Sequence, residues 1–302
     1  MIPVWILSAV AVLHSKNPLR LYPSDTVAVL IQAFSRKGTI LKTSNIVRFG
    51  AAAAAIVAIV TGASAASAGA AWTYTGATGP SHWATIDPAN YATCADGTAQ
   101  SPINIVKTKN KDLKNIGFNY VTGEAGVFNN GHTVEAEPLT APATTSSILL
   151  DGTTYSFLQF HFHAPSEHEI NGMHYPVEFH FVNKSTDGKL AVVGVFIKRG
   201  TTENLAWKPF IDSMLNATAT PEDTKVELDW AKMLPANKTT LRYNGSLTTP
   251  GCSEGVKWNV LTTPVALSDA QINTILEAYS GNNRPVQPLH GRTVYLDSTP
   301  KK

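Results

Sequence analysis

Residues 69–302 predict a mainly β (α+β) fold, a single sheet-centred domain with a few short helices at its periphery. Three observations carry that prediction. Short runs rich in β-branched and aromatic residues dominate the chain. Gly, Pro, Asn and Asp recur about every 10 to 20 residues as turn signals. From Trp72 onward no Ser/Gly linker, charge block or internal repeat divides the sequence, so one compact domain is the simplest account.

Ahead of that domain lies a leader over residues 1–68. Basic residues up to Arg48, the apolar run Phe49–Val60 and the small-residue cleavage sites Ala63-Ser64-Ala65 and Ala66-Ser67-Ala68 read as a secretory signal whose core spans about 47–68. Residues 1–46 are too long for an ordinary n-region and read as an upstream extension, with translation beginning near Val47. The run is too short and too weakly apolar to favour a membrane span, so a periplasmic or secreted protein is expected, with a retained anchor as the alternative. Of the 24 Lys and Arg residues, 6 lie in the leader with Asp25 as its one acid, leaving 18 basic against 21 acidic side chains in residues 69–302. The basic balance of the whole chain therefore belongs to the leader, and nucleic-acid binding has no electrostatic support in the folded part.

Within the domain, Ser146–Leu150, Tyr155–His163, Val177–Val182, Ala191–Lys198, Thr239–Tyr243 and Lys257–Leu261 have strand composition and alternation. Asn204–Met214 and Ser268–Tyr279 are the helix candidates, the second opening on Ser268 as an N-cap. Local periodicity does not choose between barrel, sandwich and open sheet.

Two of these strands carry histidines in a telling pattern. In Gln159-Phe160-His161-Phe162-His163, successive side chains alternate between faces, so Gln159, His161 and His163 share one face while Phe160 and Phe162 share the other. Glu178-Phe179-His180-Phe181-Val182 repeats the arrangement, with Glu178, His180 and Val182 on one side. Two imidazoles two apart on a strand can chelate one ion, and a third from a neighbouring strand leaves the fourth tetrahedral position for water, the catalytic arrangement of zinc. Gln159 and Glu178 fit as acceptors for ligand N–H groups. Taken alone, His-x-His on a strand reads more readily as a hydrogen-bonded polar pair; the flanking residues and a distant loop turn the reading to a metal.

Cys94 and Cys252 are the two cysteines, both in the exported part, where an oxidising compartment favours a disulfide; two unrelated buried thiols are the alternative.

From Trp72 to about Tyr295 the chain resembles an alpha-class carbonic anhydrase. The resemblance rests on Gly79-Pro80-Ser81-His82-Trp83, Gln100-Ser101-Pro102-Ile103-Asn104-Ile105, Asn129-Asn130-Gly131-His132, the two histidine strands, Ser166-Glu167-His168, Leu190-Ala191-Val192-Val193-Gly194, Tyr243-Asn244-Gly245-Ser246-Leu247-Thr248-Thr249-Pro250 and Asn283-Arg284-Pro285, in that order. It implies a large twisted, mostly antiparallel central β-sheet, and reversible hydration of CO₂ to bicarbonate and a proton. By resemblance Zn²⁺ is held by His161, His163 and His180, and its bound hydroxide attacks CO₂, an activation that belongs to the family. Thr248 and Glu167 match the pair that orients the nucleophile, and Thr249 lines the same pocket. Val182, Val192, Leu247, Val256 and Trp258 match an apolar wall for CO₂; by composition they are ordinary core residues.

His132 matches the proton shuttle, with Tyr74, Asn130 and Glu135 at positions that shape a water chain, Glu135 standing where some relatives carry an amide. The ligand partners implied are Gln159 to His161, Glu178 to His180 and the main-chain carbonyl of Asn283 to His163. His168 is expected to bond within the fold; His174 and His290 fit no motif and are expected to be solvated. Cys94 and Cys252 match the disulfide of secreted and bacterial members. The partner implied is a small molecule, CO₂ or bicarbonate. Related bacterial enzymes are often homodimers, though no surface stripe here demands one. A silent binding module on the same fold, or a zinc protein devoted to ester hydrolysis or storage, are the rival readings.

Overall fold

The computed structural model describes residues 69–139 and 146–297. The leader assigned to residues 1–68, with its signal core, cleavage sites and a start near Val47, lies outside the described residues.

The strands are β1 (Asn104–Ile105), β2 (Lys109–Asn110), β3 (Gly117–Asn119), β4 (Thr122–Asn129), β5 (Val134–Pro138), β6 (Ser147–Leu150), β7 (Thr153–His163), β8 (Glu169–Ile170), β9 (Val177–Ser185), β10 (Leu190–Gly200), β11 (Lys225–Asp229), β12 (Thr240–Ser246), β13 (Glu254–Ser268) and β14 (Tyr295–Asp297). Twelve of them form one sheet ordered β11-β4-β5-β7-β9-β10-β13-β12-β14-β2, with β6 also on β7 and β3 on β6, while β1 and β8 make a separate pair. Within the large sheet the β10/β13 and β14/β2 pairs are parallel and the other pairs antiparallel, as the resemblance implied.

Local chemistry explains the junctions. Asp151-Gly152, both at positive φ (53° and 88°), closes the β6/β7 hairpin, a two-residue turn whose twist matches its strands. The last major helix, Asp269–Ala278, begins on Ser268, whose hydroxyl accepts from the Gln271 N–H in a capping box, as expected of that serine. The other predicted helix is shorter than its sequence window, Lys208–Met214. Pro209 lacks an N–H and fits only the first helical turn, while Asn204 Oδ1 accepts from the Ala206 N–H in a turn ahead of it. Strand β13 runs well past Leu261, where the sequence window ended. A register shift against β10 between Val195 and Ile197 lets the strand carry Pro264, which cannot donate to the ladder.

The alternation in β7 and β9 sorts two environments. Phe160, Phe162, Phe179 and Phe181 are fully buried in the larger apolar core with Trp207 and Phe210. Phe160 stacks on Phe179 with ring centroids 4.7 Å apart and meets Phe210 edge-on at 4.9 Å. Each such ring removed from water stabilises the fold by about 1.5–3 kcal/mol, so a one-residue slip of either strand is strongly disfavoured. The opposite face carries the histidines and borders a second apolar cluster that includes Val182, Val192, Val256 and Trp258. No helix among the described residues is long and apolar enough to cross a membrane.

Candidate metal centre and its cavity

β7 and β9 pair with His161 opposite His180, and His163 lies two residues along β7 on the same face. Each of the three histidines can turn one nitrogen inward, and these atoms lie within 4.8 Å of one another.

The outer nitrogens fix which atoms those are. A main-chain carbonyl can only accept, so His163 Nδ1–H donates to Asn282 O at 2.7 Å and Nε2 carries the lone pair. His161 Nδ1–H donates to Gln159 Oε1 at 2.7 Å, which likewise leaves Nε2. His180 Nε2–H donates to Glu178 Oε1 at 3.1 Å, which leaves Nδ1. His163 Nε2 is buried with no hydrogen-bond partner, a costly state for a polar atom unless something binds it. Burial holds the His161 and His163 imidazoles below their usual pKa, favouring the neutral form that can ligate. Three neutral imidazole nitrogens converging on one point fit a tetrahedral zinc with one open position.

Glu178 is the hub behind them. Its oxygens accept from His168 Nδ1–H at 2.7 Å and the His168 main-chain N–H at 2.8 Å as well as from His180. Burial pushes this carboxyl up, yet His168 and His180 pull further and hold it well below the usual carboxylate range. His168 is completed by Tyr243 Oη at 2.6 Å, so it bonds wholly within the fold.

The histidines floor a cavity of about 310 Å³. Val182, Val192, Leu247 and Trp258 supply one wall; Asn130, His132, Thr133, Glu135 and Gln159 supply the other, with Thr248, Thr249, Trp72 and Tyr74 completing the lining. Glu167 is buried behind the cavity, its Oε1 accepting from the Arg284 main-chain N–H at 2.8 Å and lying 3.5 Å from His163 Nδ1, while its Oε2 has no hydrogen-bond partner. His132 is half-buried, and that burial lowers its pKa from the ordinary value. Glu135, opposite His161 in the sheet, accepts from Asn130 Nδ2 at 3.0 Å, and burial raises it to about 7.

Cys94 and Cys252 are joined, with Cα atoms 5.0 Å apart, beside Trp83 and Tyr91. The bond pins the turn that follows Thr248 and Thr249, where the Cys252 N–H donates to Thr249 O at 2.9 Å.

Residues 78–298 match the family model of the eukaryotic-type carbonic anhydrase. The chain is 42% identical over 224 residues to a carbonic anhydrase of Klebsiella pneumoniae, covering 74% of this chain and 89% of that protein. It is 37% identical over 227 residues to one of Pectobacterium atrosepticum, with the same coverage. Among solved structures, the alpha-carbonic anhydrase of Thermovibrio ammonificans, in complex with the inhibitor sulfanilamide, superposes with a TM-score of 0.69 at 40% identity, covering 75% of this chain and 99% of that one. The chain belongs to the alpha-class, eukaryotic-type carbonic anhydrase family. It is an enzyme of that class.

Against this carbonic anhydrase frame, two sequence expectations need correction and two cavity residues were missed. The carbonyl that orients His163 is that of Asn282, not Asn283: Asn282 is buried and its side chain is bonded to β7, whereas Asn283 sits further out. Val256 is buried in the apolar cluster but does not line the cavity. It lies one strand repeat beyond Trp258 and faces the groove beside Asp187–Leu190. His174 and His290 are exposed, as expected; His174 is also tethered, its Nδ1–H donating to Ser166 O at 2.6 Å and its Nε2 lying 3.2 Å from Glu169. Trp72 and Thr133 were overlooked as cavity residues: one aromatic ahead of the first motif gives no sign of where the chain will lay it, and a lone Thr after the His132 turn carries no pattern.

Proposed function

We propose that this carbonic anhydrase hydrates CO₂ reversibly to bicarbonate and a proton, using Zn²⁺ held by His161 Nε2, His163 Nε2 and His180 Nδ1. The observation that carries this reading is the convergence of three imidazoles whose outer nitrogens are already engaged by acceptors, with the buried His163 Nε2 left without a partner. Bound there, the metal supplies a water acidified enough to act as a nucleophile near neutral pH, the chemistry this family typifies.

The chain's own residues direct that nucleophile. Thr248 offers a hydroxyl in the cavity and Glu167 a buried carboxylate with one free oxygen. Donating its O–H to the free Glu167 oxygen would leave Thr248 only lone pairs for the attacking oxygen, so that it accepts a hydrogen bond from that oxygen and turns a lone pair toward the substrate. Carbon dioxide offers no strong hydrogen-bonding handle, and Val182, Val192, Leu247 and Trp258 form a dry wall against which it can lie, with Thr249 at its edge. His132 takes the product proton to solvent, because a pKa lowered by burial lets it release that proton readily at neutral pH. Tyr74, Asn130 and Glu135 border the water path between the metal and His132. The disulfide supports a periplasmic or secreted location.

Stopped-flow CO₂ hydration by the purified protein, before and after zinc is stripped by a chelator, tests the reading. Fast hydration that vanishes with the metal and returns with Zn²⁺ is the expected result. Tight zinc binding without hydration would replace it by a binding or ester-cleaving role.

A further inference from the structure

The segment that follows the last helix touches the His132 turn, the His163 end of β7 and Glu167. Tyr279 Oη–H donates to Asn129 Oδ1 at 2.7 Å, at the base of the turn that carries His132. The Gly281 N–H donates to Ala164 O at 2.6 Å, next to His163. The Arg284 N–H holds Glu167. Between them Asn282, 2% exposed, makes four hydrogen bonds. Its main-chain carbonyl accepts from His163 Nδ1–H. Its side-chain Oδ1 accepts from the Ala164 N–H at 2.8 Å, and its Nδ2 donates to Phe162 O and to His132 O, each at 3.1 Å. An amide facing two carbonyls and one N–H has a single orientation that satisfies all three.

We infer that the Asn282 side chain is a positioning residue that, beside the Thr133 hydroxyl on the same Phe162 carbonyl, holds the His132 turn in register with the strand bearing His161 and His163, so that this buried amide helps set the span of the proton relay. The inference deepens the proposed function and rests on its assignment of His132 as the relay. No other side chain repeats the pattern. Asp keeps the acceptor for Ala164 but turns a second oxygen on two carbonyls; Ala removes the partner of the Ala164 N–H and of His132 O, and leaves Phe162 O with the Thr133 hydroxyl alone. The His132 turn has further ties of its own, Asn130 Oδ1 accepting from the His132 and Thr133 N–H groups. The turn therefore keeps its shape when Asn282 changes, and since Thr133 stays tied to the strand through its hydroxyl on Phe162 O at 2.7 Å, the displacement falls on the His132 end of the turn. A relay is sensitive to such a displacement, since small errors of placement cost far more rate than stability.

The test compares zinc-loaded wild type with Asn282→Asp and Tyr279→Phe, the latter removing the other tie between this segment and the turn. In dilute non-relaying buffer Asn282→Asp should lose roughly tenfold in kcat and a smaller factor in kcat/KM, with the loss recovered by added imidazole, and Tyr279→Phe should show the same split to a lesser degree. Zinc affinity by chelator competition should change little, because the carbonyl behind His163 is retained. Placed on His132→Ala, Asn282→Asp should add almost nothing to the loss of kcat, the mark of two residues acting through one step.

Equal loss of kcat and kcat/KM, indifference to imidazole, or additive effects with His132→Ala would reduce Asn282 to a structural brace and overturn the inference. Amide NMR signals of Gly131, His132 and Thr133 give an activity-independent reading: they should shift in Asn282→Asp. Unmoved signals would refute the coupling. A wild type that binds zinc but hydrates no CO₂ would instead overturn the proposed function, a different outcome from a functioning wild type with uncoupled variants.

Discussion

The Trp72 indole lies flat against the His132 imidazole, with ring centroids 3.6 Å apart and planes inclined by 6°. Trp72 is itself packed edge-on against Tyr74 and Trp83, each at 5.3 Å, so the lid over His132 belongs to a small aromatic cluster beside the disulfide. Stacked rings of this kind contribute about 0.5–1.5 kcal/mol beyond their burial, enough to favour one position of an otherwise mobile imidazole. Burial disfavours the imidazolium, which is why the His132 pKa lies below its ordinary value. Trp72→Ala should therefore raise the His132 pKa, as read from the NMR titration of its ring protons. A downward shift would show that the indole face attracts the cation more than its burial penalises it.

Removing the relay should leave the chemical step alone. His132→Ala is expected to lower kcat by roughly 10²-fold in weak buffer, with imidazole restoring the rate and kcat/KM for hydration little changed, because proton export follows attack on CO₂. Stopped-flow rates across a range of imidazole concentrations decide it, and a rate indifferent to imidazole removes His132 from the relay.

His163→Ala should lose zinc and activity together. Two imidazoles hold the ion poorly, and the drop in affinity should exceed the roughly 10–100-fold typical of losing a group behind a ligand. Metal content after dialysis, set beside hydration rate, checks this; full activity with bound zinc would sink the ligand assignment.

Glu135 gives the stability a pH dependence. Burial lifts its carboxyl to about 7 from an ordinary 4.5, with Asn130 opposing the rise and Glu137 adding to it. A carboxyl that binds its proton more tightly in the folded state stabilises the fold fully below its unfolded pKa, and that contribution is lost as pH rises toward the folded value. In the metal-free protein Glu135→Gln should thus match wild type near pH 4.5 and be more stable at pH 8 by up to about 3 kcal/mol. Urea unfolding at the two pH values measures the difference, and equal stability at pH 8 would place Glu135 in water.

The disulfide closes a 158-residue separation and fixes the turn behind Thr248 and Thr249. Reduction, or Cys94→Ser with Cys252→Ser, should destabilise the fold by about 2–5 kcal/mol. Thermal unfolding with and without reductant is the check, and an unchanged transition would show the turn held by its hydrogen bonds alone.

Where a feature depends on neighbours in sequence, the chain alone announced it. The Phe/His alternation in β7 and β9 assigned one face to the core and the other to the site, and Ser268 marked its helix start. The motif order from Trp72 to Tyr295 carried the family, and the described helix and strand windows differ from the sequence windows mainly at their ends, where Pro209 and Pro264 act. Where a feature depends on chain segments meeting from far apart, the sequence was silent or off by one. Asn282 and Asn283 are chemically identical in composition, and only packing against β7 chose between them. Val256 and Trp258 share a strand face, yet only the end of the cavity separates their roles.

Side-chain alternation, caps and turn residues act within a few positions, so the sequence by itself determined the main strands around the site, the three histidines that could hold a metal and the family. The lid of Trp72 on His132, the hub of Glu178 and the reach of Asn282 to the His132 turn were decided by tertiary structure, since each is a contact of a few ångströms between segments whose approach depends on the register of the whole sheet.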